Sequence, residues 1–298
     1  MEYQWYPGHM TKARRMMQEN IKLIDLVIEL ADARIPASSR NPDINDIAWG
    51  KPRLLLLGKA DLADERITRE WKAYYEEQGM ITVCMDARTR NGMKAIESSV
   101  EQACKEKIER DRSRGIVNRP VRAMVVGIPN VGKSTFINSF AQKAVTKTGN
   151  KPGVTKGKQW IRMSKTLELL DTPGILWPKM GDVTTGLHLA LIGSMNDEIL
   201  DPERMAASLI GILQKHYPGV LEKRYGFTDT AQEDENYKLR ILGEIARARG
   251  CLAKGEKVDL TKAAGILLED FRSGRLGKIS IERPADMPIG QEESGNDE

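Results

Sequence analysis

This chain of 298 residues predicts an α/β fold, a doubly wound and mostly parallel sheet, followed by a smaller all-helical domain. Three observations carry that prediction. Short, largely apolar runs at 24–31, 53–57, 81–85 and 121–126 have the length and character of strands covered on both faces. Helical stretches at 67–78 and 92–109 lie between them, so strand and helix alternate. Beyond Pro178 the apolar spacing becomes helical and stays so almost to the end.

Taken in order, the first run reads IDLVIELA, and the basic linker RDRSRG separates the third strand unit from the fourth. After Val126 come a glycine-rich turn, a helix over 133–140 and two shorter strands over 158–163 and 166–170, which close the α/β part near Pro178. Helices are then expected at 187–192, 203–215, 235–249 and 260–273, the last capped by Asp259 and stopped by Gly274. A final strand is expected at 278–281. The tail from Pro284, ending QEESGNDE, is polar and acidic and is expected to be disordered. The sequence has no internal repeat.

Composition bounds the function without naming it. Hydrophobic residues make up 40% and charged residues 30%, a globular balance with room for two ordinary domains. The net charge of +4 permits a polyanionic partner without demanding one. Cys84, Cys104 and Cys251 are far apart, which fits neither a disulfide framework nor a structural zinc site and points to reducing cytosol. The first ten residues lack an apolar core and the apolar runs are strand-sized, so a signal peptide and a membrane span are not expected; the reading is a cytoplasmic protein with no membrane partner.

The chemistry begins after the fourth strand. Gly127-Ile-Pro-Asn-Val-Gly132-Lys133-Ser134 fits G-x-x-x-x-G-K-S/T between a strand and a helix. Its glycines let backbone N–H groups wrap a phosphate, and the helix N-terminus adds partial positive charge. Asn130, Val131, Gly132, Lys133, Ser134 and Thr135 are the expected nucleotide-binding residues, with Lys133 on the β- and γ-phosphates and Ser134 on Mg²⁺. Downstream, Asp171-Thr172-Pro173-Gly174 ends a strand where a second Mg²⁺ contact belongs: Asp171 for the metal, the Gly174 N–H for the γ-phosphate. Between the two motifs lies Pro152-Gly153-Val154-Thr155. Thr155 is the choice for the switch threonine that completes the metal's coordination, ahead of Thr146 and Thr148, with Gly153 beside the nucleotide.

A base-recognition element precedes all of this. Gly58-Lys59-Ala60-Asp61 follows the second strand and resembles Asn-Lys-x-Asp with glycine in place of asparagine. The Asp61 carboxylate can accept two hydrogen bonds from guanine N1–H and its exocyclic amine, a pair adenine does not offer, and the Lys59 stem can lie over the base. Losing the asparagine amide removes a bridge to the phosphate loop, so weakened nucleotide affinity is expected. Asp86-Ala87, after the third strand, stands where a backbone N–H faces guanine O6. Base motifs before phosphate motifs is the reverse of the ordinary GTPase order, which joined termini and a new opening elsewhere would produce.

With that order, the opening WYPGHM-x-KA (5–13), the segment DAR-x-P (32–36), GIPNVGKST, PGVT and DTPG, the chain resembles the circularly permuted ribosome biogenesis GTPase A family along nearly its full length. The resemblance implies a GTP hydrolase with GTP/GDP and Mg²⁺ as ligands, acting in late assembly of the large ribosomal subunit and released on hydrolysis. It implies that His9 assists water attack, since Ile175 stands where small GTPases carry a glutamine. Asn130 also matches GTPases that hold K⁺ beside the phosphates, so potassium dependence is expected. The implied organisation is an N-terminal segment 1–13 with His9, a GTPase domain 14–178, a helical RNA-binding domain 185–282 and a disordered acidic tail 283–298. Partners are the large-subunit precursor, its rRNA and its proteins, with no DNA, and the chain is read as a monomer. Arg247, Arg249, Lys254, Lys257, Lys262, Arg272, Arg275 and Lys278 give the last third a basic bias with few aromatic residues, which fits phosphate contacts. Two other readings stay open from the residues alone: a phosphate-loop kinase for a small metabolite, which leaves Asp61 without a role, and a nucleotide-dependent RNA-binding module with negligible turnover.

Overall fold

In a computed structural model the described residues are 8–117, 119–141, 159–176, 183–195, 201–228, 236–252 and 257–287. The elements run α1 (Gly8–Asn20), β1 (Leu26–Asp32), α2 (Asp43–Ile47), β2 (Arg53–Gly58), α3 (Glu65–Glu77), β3 (Ile81–Cys84), α4 (Met93–Ala103), α5 (Lys105–Ser113), β4 (Val121–Gly127), α6 (Lys133–Ala141), β5 (Gln159–Arg162) and β6 (Leu167–Asp171). Among the described residues that follow are α7 (Val183–Leu191), α8 (Pro202–His216), α9 (Val220–Tyr225), α10 (Tyr237–Ala248) and α11 (Leu260–Arg272).

The described strands form one six-stranded sheet in the order β3-β2-β1-β4-β6-β5, parallel except for β5 against β6. Every residue of β1 is buried, as expected of a central strand with both faces covered. Glu29 in its middle is compatible with that burial because Arg40 and Arg53 both reach its carboxylate, at 3.2 and 2.5 Å. Helix α3 starts two residues before the apolar pattern suggests, since Asp64 accepts from the N–H groups of Arg66 and Ile67 and so fixes the first turn.

Three expectations are corrected, and one helix was not expected. The helix read over 92–109 is two helices, α4 and α5, broken at Cys104, where the buried apolar face ends and a charged stretch begins. The strand read over 278–281 is not one: Ile279 and Ile281 are buried in alternation, which produces the strand-like pattern, but their N–H groups go singly to Leu62 O (2.9 Å) and Arg34 O (3.0 Å) instead of to a neighbouring strand. The disordered tail expected from 283 does not begin there, because Pro284–Asp286 form a 3₁₀ turn and Met287 packs beside the cluster of Trp71 and Tyr75; residues 288–298 lie outside the described residues. Helix α9 carried no pattern long enough to be read.

One apolar core runs from the sheet into the helices, joining residues such as Leu26, Val125 and Leu170 to Leu209, Leu242, Leu267 and Ile281. A smaller cluster on the other side of β2 is built on Ile67, Trp71 and Tyr75. Among the described residues no helix is long and apolar enough to cross a membrane. All three cysteines are unbridged.

Candidate functional site

β1 and β4 are neighbours, yet the chain leaves them in opposite directions across the sheet, towards β2 and towards β6. Such a switch point opens a crevice beyond the carboxyl ends of the strands, where ligands of doubly wound sheets bind. The motifs at the ends of β2, β3, β4 and β6 all lie on that edge. Motifs far apart in sequence are therefore brought to one rim by parallel strand order alone.

The phosphate loop is shaped by close backbone packing. Gly127 has φ +151°, and a Cβ there would stand 2.6 Å from Leu30 O, so no other residue fits between β4 and β1. Lys133, at the start of α6, is buried and its Nζ donates to Gly127 O (3.0 Å) and Ile128 O (2.8 Å). Burial lowers its pKa to about 8, with the negative charge of Asp171 opposing the shift. Asp171, itself buried, is in register with Val125, so the ends of β4 and β6 lie side by side. Beyond it, the Thr172 hydroxyl donates to Val125 O at 2.6 Å. Gly174 sits against the loop so tightly that a Cβ would be 2.7 Å from Pro129 N and 2.8 Å from Lys133 Nζ. Val131 is buried against Gly127, whereas Gly132, Ser134 and Thr135 are half-buried.

The base-side loops are tied to this one. Lys59, in a left-handed conformation with φ 56°, sends its Nζ to Asn130 O at 2.9 Å and to the Asp32 carboxylate at 3.0 Å. Ala60 N donates to Met85 O at 3.2 Å, and Ser139 of α6 donates its hydroxyl to Ala87 O. Asp86 is turned inward: Oδ1 accepts from Arg88 N (2.8 Å) and Oδ2 from the Thr89 hydroxyl (2.6 Å). These bonds outweigh burial, which alone would raise its pKa, and the carboxyl stays below its ordinary range. Asp61 differs from all of these. It is half-exposed and makes no hydrogen bond or ion pair with a described residue, so its carboxylate is available to an incoming donor pair.

Several contacts were not anticipated. Asp32 is fully buried and meets Arg34 through two parallel bonds, Nε to Oδ1 at 2.9 Å and Nη2 to Oδ2 at 2.8 Å. Burial would raise its pKa, but Arg34 and Lys59 more than reverse this and hold the carboxyl well below the usual range. The sequence did signal this pair: an acid ending a largely apolar strand, with an arginine two residues on, needs a partner. Asn130, with φ 57°, donates its side-chain Nδ2 to Gly193 O at 2.7 Å, and the Ser194 hydroxyl donates to Pro129 O at 2.9 Å. The turn after α7 therefore rests on the phosphate loop. Nothing in the composition of Gly193-Ser194 marks it for that place.

Ile175, where a water-orienting glutamine would stand, is fully buried, with its N–H on Gly127 O at 3.3 Å and its carbonyl accepting from Asn41 Nδ2 at 3.2 Å. It cannot hold water. His9 is in the first turn of α1, but its side chain, like Gly153 and Thr155, lies outside what the structure describes. For a divalent cation, the donor set at hand is a hydroxyl at Ser134 and a buried carboxylate at Asp171, the hard oxygen ligands that Mg²⁺ takes. Among the described residues no cluster of three His, Cys, Asp or Glu could hold a metal.

Comparison with known proteins agrees with this geometry. The family model described as 50S ribosome-binding GTPase matches residues 122–212. The Ribosome biogenesis GTPase A of Bacillus cereus is 46% identical over 287 residues, 96% of this chain and 96% of that protein. Its counterpart in Thermotoga maritima is 30% identical over 97% of this chain and 98% of its own. Among solved structures, GNP-bound YlqF from Thermotoga maritima superposes with a TM-score of 0.62 at 26% identity, covering 93% of this chain and 100% of that one. The GDP-bound YlqF structure gives a TM-score of 0.61 at 25% identity, over 91% and 99%.

Proposed function

The chain belongs to the ribosome biogenesis GTPase A family, and on that premise we propose that it hydrolyses GTP to GDP and phosphate, binding the large-subunit precursor in the GTP state and leaving it on hydrolysis. The observation that carries the reading is the bond from Lys59 to Asn130 O: a base loop and a phosphate loop in reversed sequence order meet at one crevice.

In this reading Asp61 takes guanine through N1–H and the exocyclic amine, and Ala87 offers its N–H to O6 in a loop that Asp86 stiffens. Gly58 and Ala60 complete the base loop. Lys133 exchanges two neutral carbonyls for phosphate oxygens, and charge-assisted bonds replace ordinary ones. The N–H groups of residues 130–135 cradle the phosphates and Gly174 senses the γ-phosphate, with Gly153 beside it. Ser134, Asp171 and Thr155 are the proposed Mg²⁺ ligands; when bound, Mg²⁺ neutralises charge developing between the phosphates. With Ile175 buried, His9 is the proposed group that orients the attacking water. Asn130 is the proposed K⁺ ligand: its nitrogen donates to Gly193 O, and an amide oxygen is the kind of hard donor such a cation takes.

Residues 1–13 then carry the catalytic histidine, 14–178 the GTPase part and 185–282 the RNA-binding helices. The proposed setting is the bacterial cytoplasm, with a monomer contacting rRNA and ribosomal proteins and neither DNA nor membrane. The test is calorimetry with GDP and ADP together with steady-state hydrolysis of GTP and ATP. Wild type should prefer guanine, and Asp61→Ala should lose that preference by roughly a hundredfold or more, two bonds to a charged acceptor being removed. Hydrolysis should rise when K⁺ replaces Na⁺ and when large subunits are added. Equal affinity of the wild type for GDP and ADP would remove the reading.

A further inference from the structure

We propose that the outer edge of the sheet carries a contact for an unpaired nucleic-acid strand, built on Trp160, Arg122 and Arg162. That the strand is RNA rests on the function proposed above; the stacking chemistry itself does not depend on it.

β5 is the last strand of the sheet. Its pairing sets Arg162 beside Glu168, and Glu168 beside Arg122 on the other side, so Arg122, Glu168, Arg162 and, two residues along, Trp160 share one sheet face. The Arg122 guanidinium lies 5.3 Å from the centroid of the Trp160 ring and is steadied by Glu168 at 3.3 Å. With Leu23 these side chains line an open groove of about 290 Å³. Trp160 is still 38% exposed and Leu23 51%. Arg162 is exposed and makes no ion pair with a described residue, and the same holds for Lys22, next to Leu23, and Lys165, in the turn between β5 and β6. Four cations in or beside the groove thus stand against one carboxylate.

Charges on an edge strand also serve to block pairing with another sheet, which accounts for Arg162 and Lys165. They do not account for an indole held in place by a guanidinium and left open to solvent. A flat aromatic surface flanked by cations is the combination that binds single strands: the base stacks on the ring and the phosphates meet the charges. Glu168 is engaged by Arg122, so the groove offers little that reads a base edge, and binding should tolerate any sequence.

The experiment measures fluorescence anisotropy of a fluorescein-labelled 12-nucleotide oligouridylate with the full chain. Trp160→Ala should weaken binding about tenfold, Trp160→Phe should stay within about threefold of wild type, and Arg162→Gln should lower the slope of log affinity against log salt by about 0.7. Guanine-nucleotide affinity and basal GTP hydrolysis should be unchanged in all three variants. A failure of guanine specificity with these shifts intact speaks against the proposed function and leaves this contact standing. Wild-type affinity in Trp160→Ala, or a loss that Trp160→Phe shares in full, overturns the proposal. Should Trp160→Ala melt early, Arg162→Gln decides, an unchanged salt slope overturning it equally.

Discussion

Gly58 illustrates how one residue's role depends on its neighbour. Reading the motif by type, glycine in place of asparagine removes the bridge between base loop and phosphate loop, and weaker nucleotide binding follows. In the structure that bridge is made by Lys59, whose Nζ reaches both Asn130 O and Asp32. A Cβ at position 58 would find only ordinary contacts, 3.6 Å from Ala31 O and 3.7 Å from Val131 O, so glycine there is not forced by crowding. Lys133 gives a prediction at the same scale. Its folded pKa of about 8 is depressed below the ordinary lysine value, so the buried charge is a cost present below pH 8 and relieved as pH rises from there. Phosphate oxygens restore the charged form. Calorimetry at pH 8 with a non-hydrolysable GTP analogue, in buffers of different ionisation enthalpy, should therefore register net uptake of a fraction of a proton per nucleotide bound. Proton release, or none at all, would contradict the assignment of Lys133 to the phosphates.

At the scale of elements, the base loop, the phosphate loop and the helical region are closed into a ring of polar contacts. Lys59 reaches Asp32, Asp32 holds Arg34, and Arg34 Nη1 donates to Arg272 O at 3.3 Å at the end of α11. Arg272 in turn donates to Leu191 O (3.0 Å) and Ala190 O (2.7 Å), capping the last turn of α7. Asn130 and Pro129 then take up Gly193 and Ser194, which returns the ring to the phosphate loop. A change of phosphate-loop shape should therefore reach α7 and α11 through these contacts. Amide hydrogen exchange of α7 and α11 should differ between GDP and GTP-analogue states, and Ser194→Ala, losing about 1 kcal/mol of contact, should shrink that difference several-fold. An unaltered difference in Ser194→Ala would rule out this route. Strands, helices, caps and the phosphate motif behind this arrangement were legible because each is written in a short segment: β4 with its glycine turn, Asp259 on α11, Asp171 after LELL. Asn130–Gly193 and Arg34–Arg272 were not, since asparagine, glycine and arginine carry no mark of a partner dozens or hundreds of residues away.

For the whole molecule, one apolar core joins the sheet to the helices that follow it. Leu209, Leu242 and Leu267 of the helices belong to the same apolar cluster as Val125 and Leu170 of the sheet. The segment 278–282 then runs back over the GTPase part, with Ile279 on Leu62 O, Ile281 on Arg34 O and the Trp71 indole donating to Glu282 O at 3.1 Å. Scanning calorimetry should accordingly show a single transition whose van't Hoff and calorimetric enthalpies agree, where independent domains would give two. By itself the sequence determined the kinds of element, their alternation and the two chemical motifs, because backbone propensity, burial periodicity and glycine-dependent turns act over a few residues. Only the tertiary structure decided that Lys59 replaces a missing amide, that Asp32 is the buried centre joining two loops, and that the helices rest on the phosphate loop. Those outcomes depend on which distant backbone groups a parallel sheet and its packed helices bring within 3 Å, and distance across a fold is not a local property of the chain.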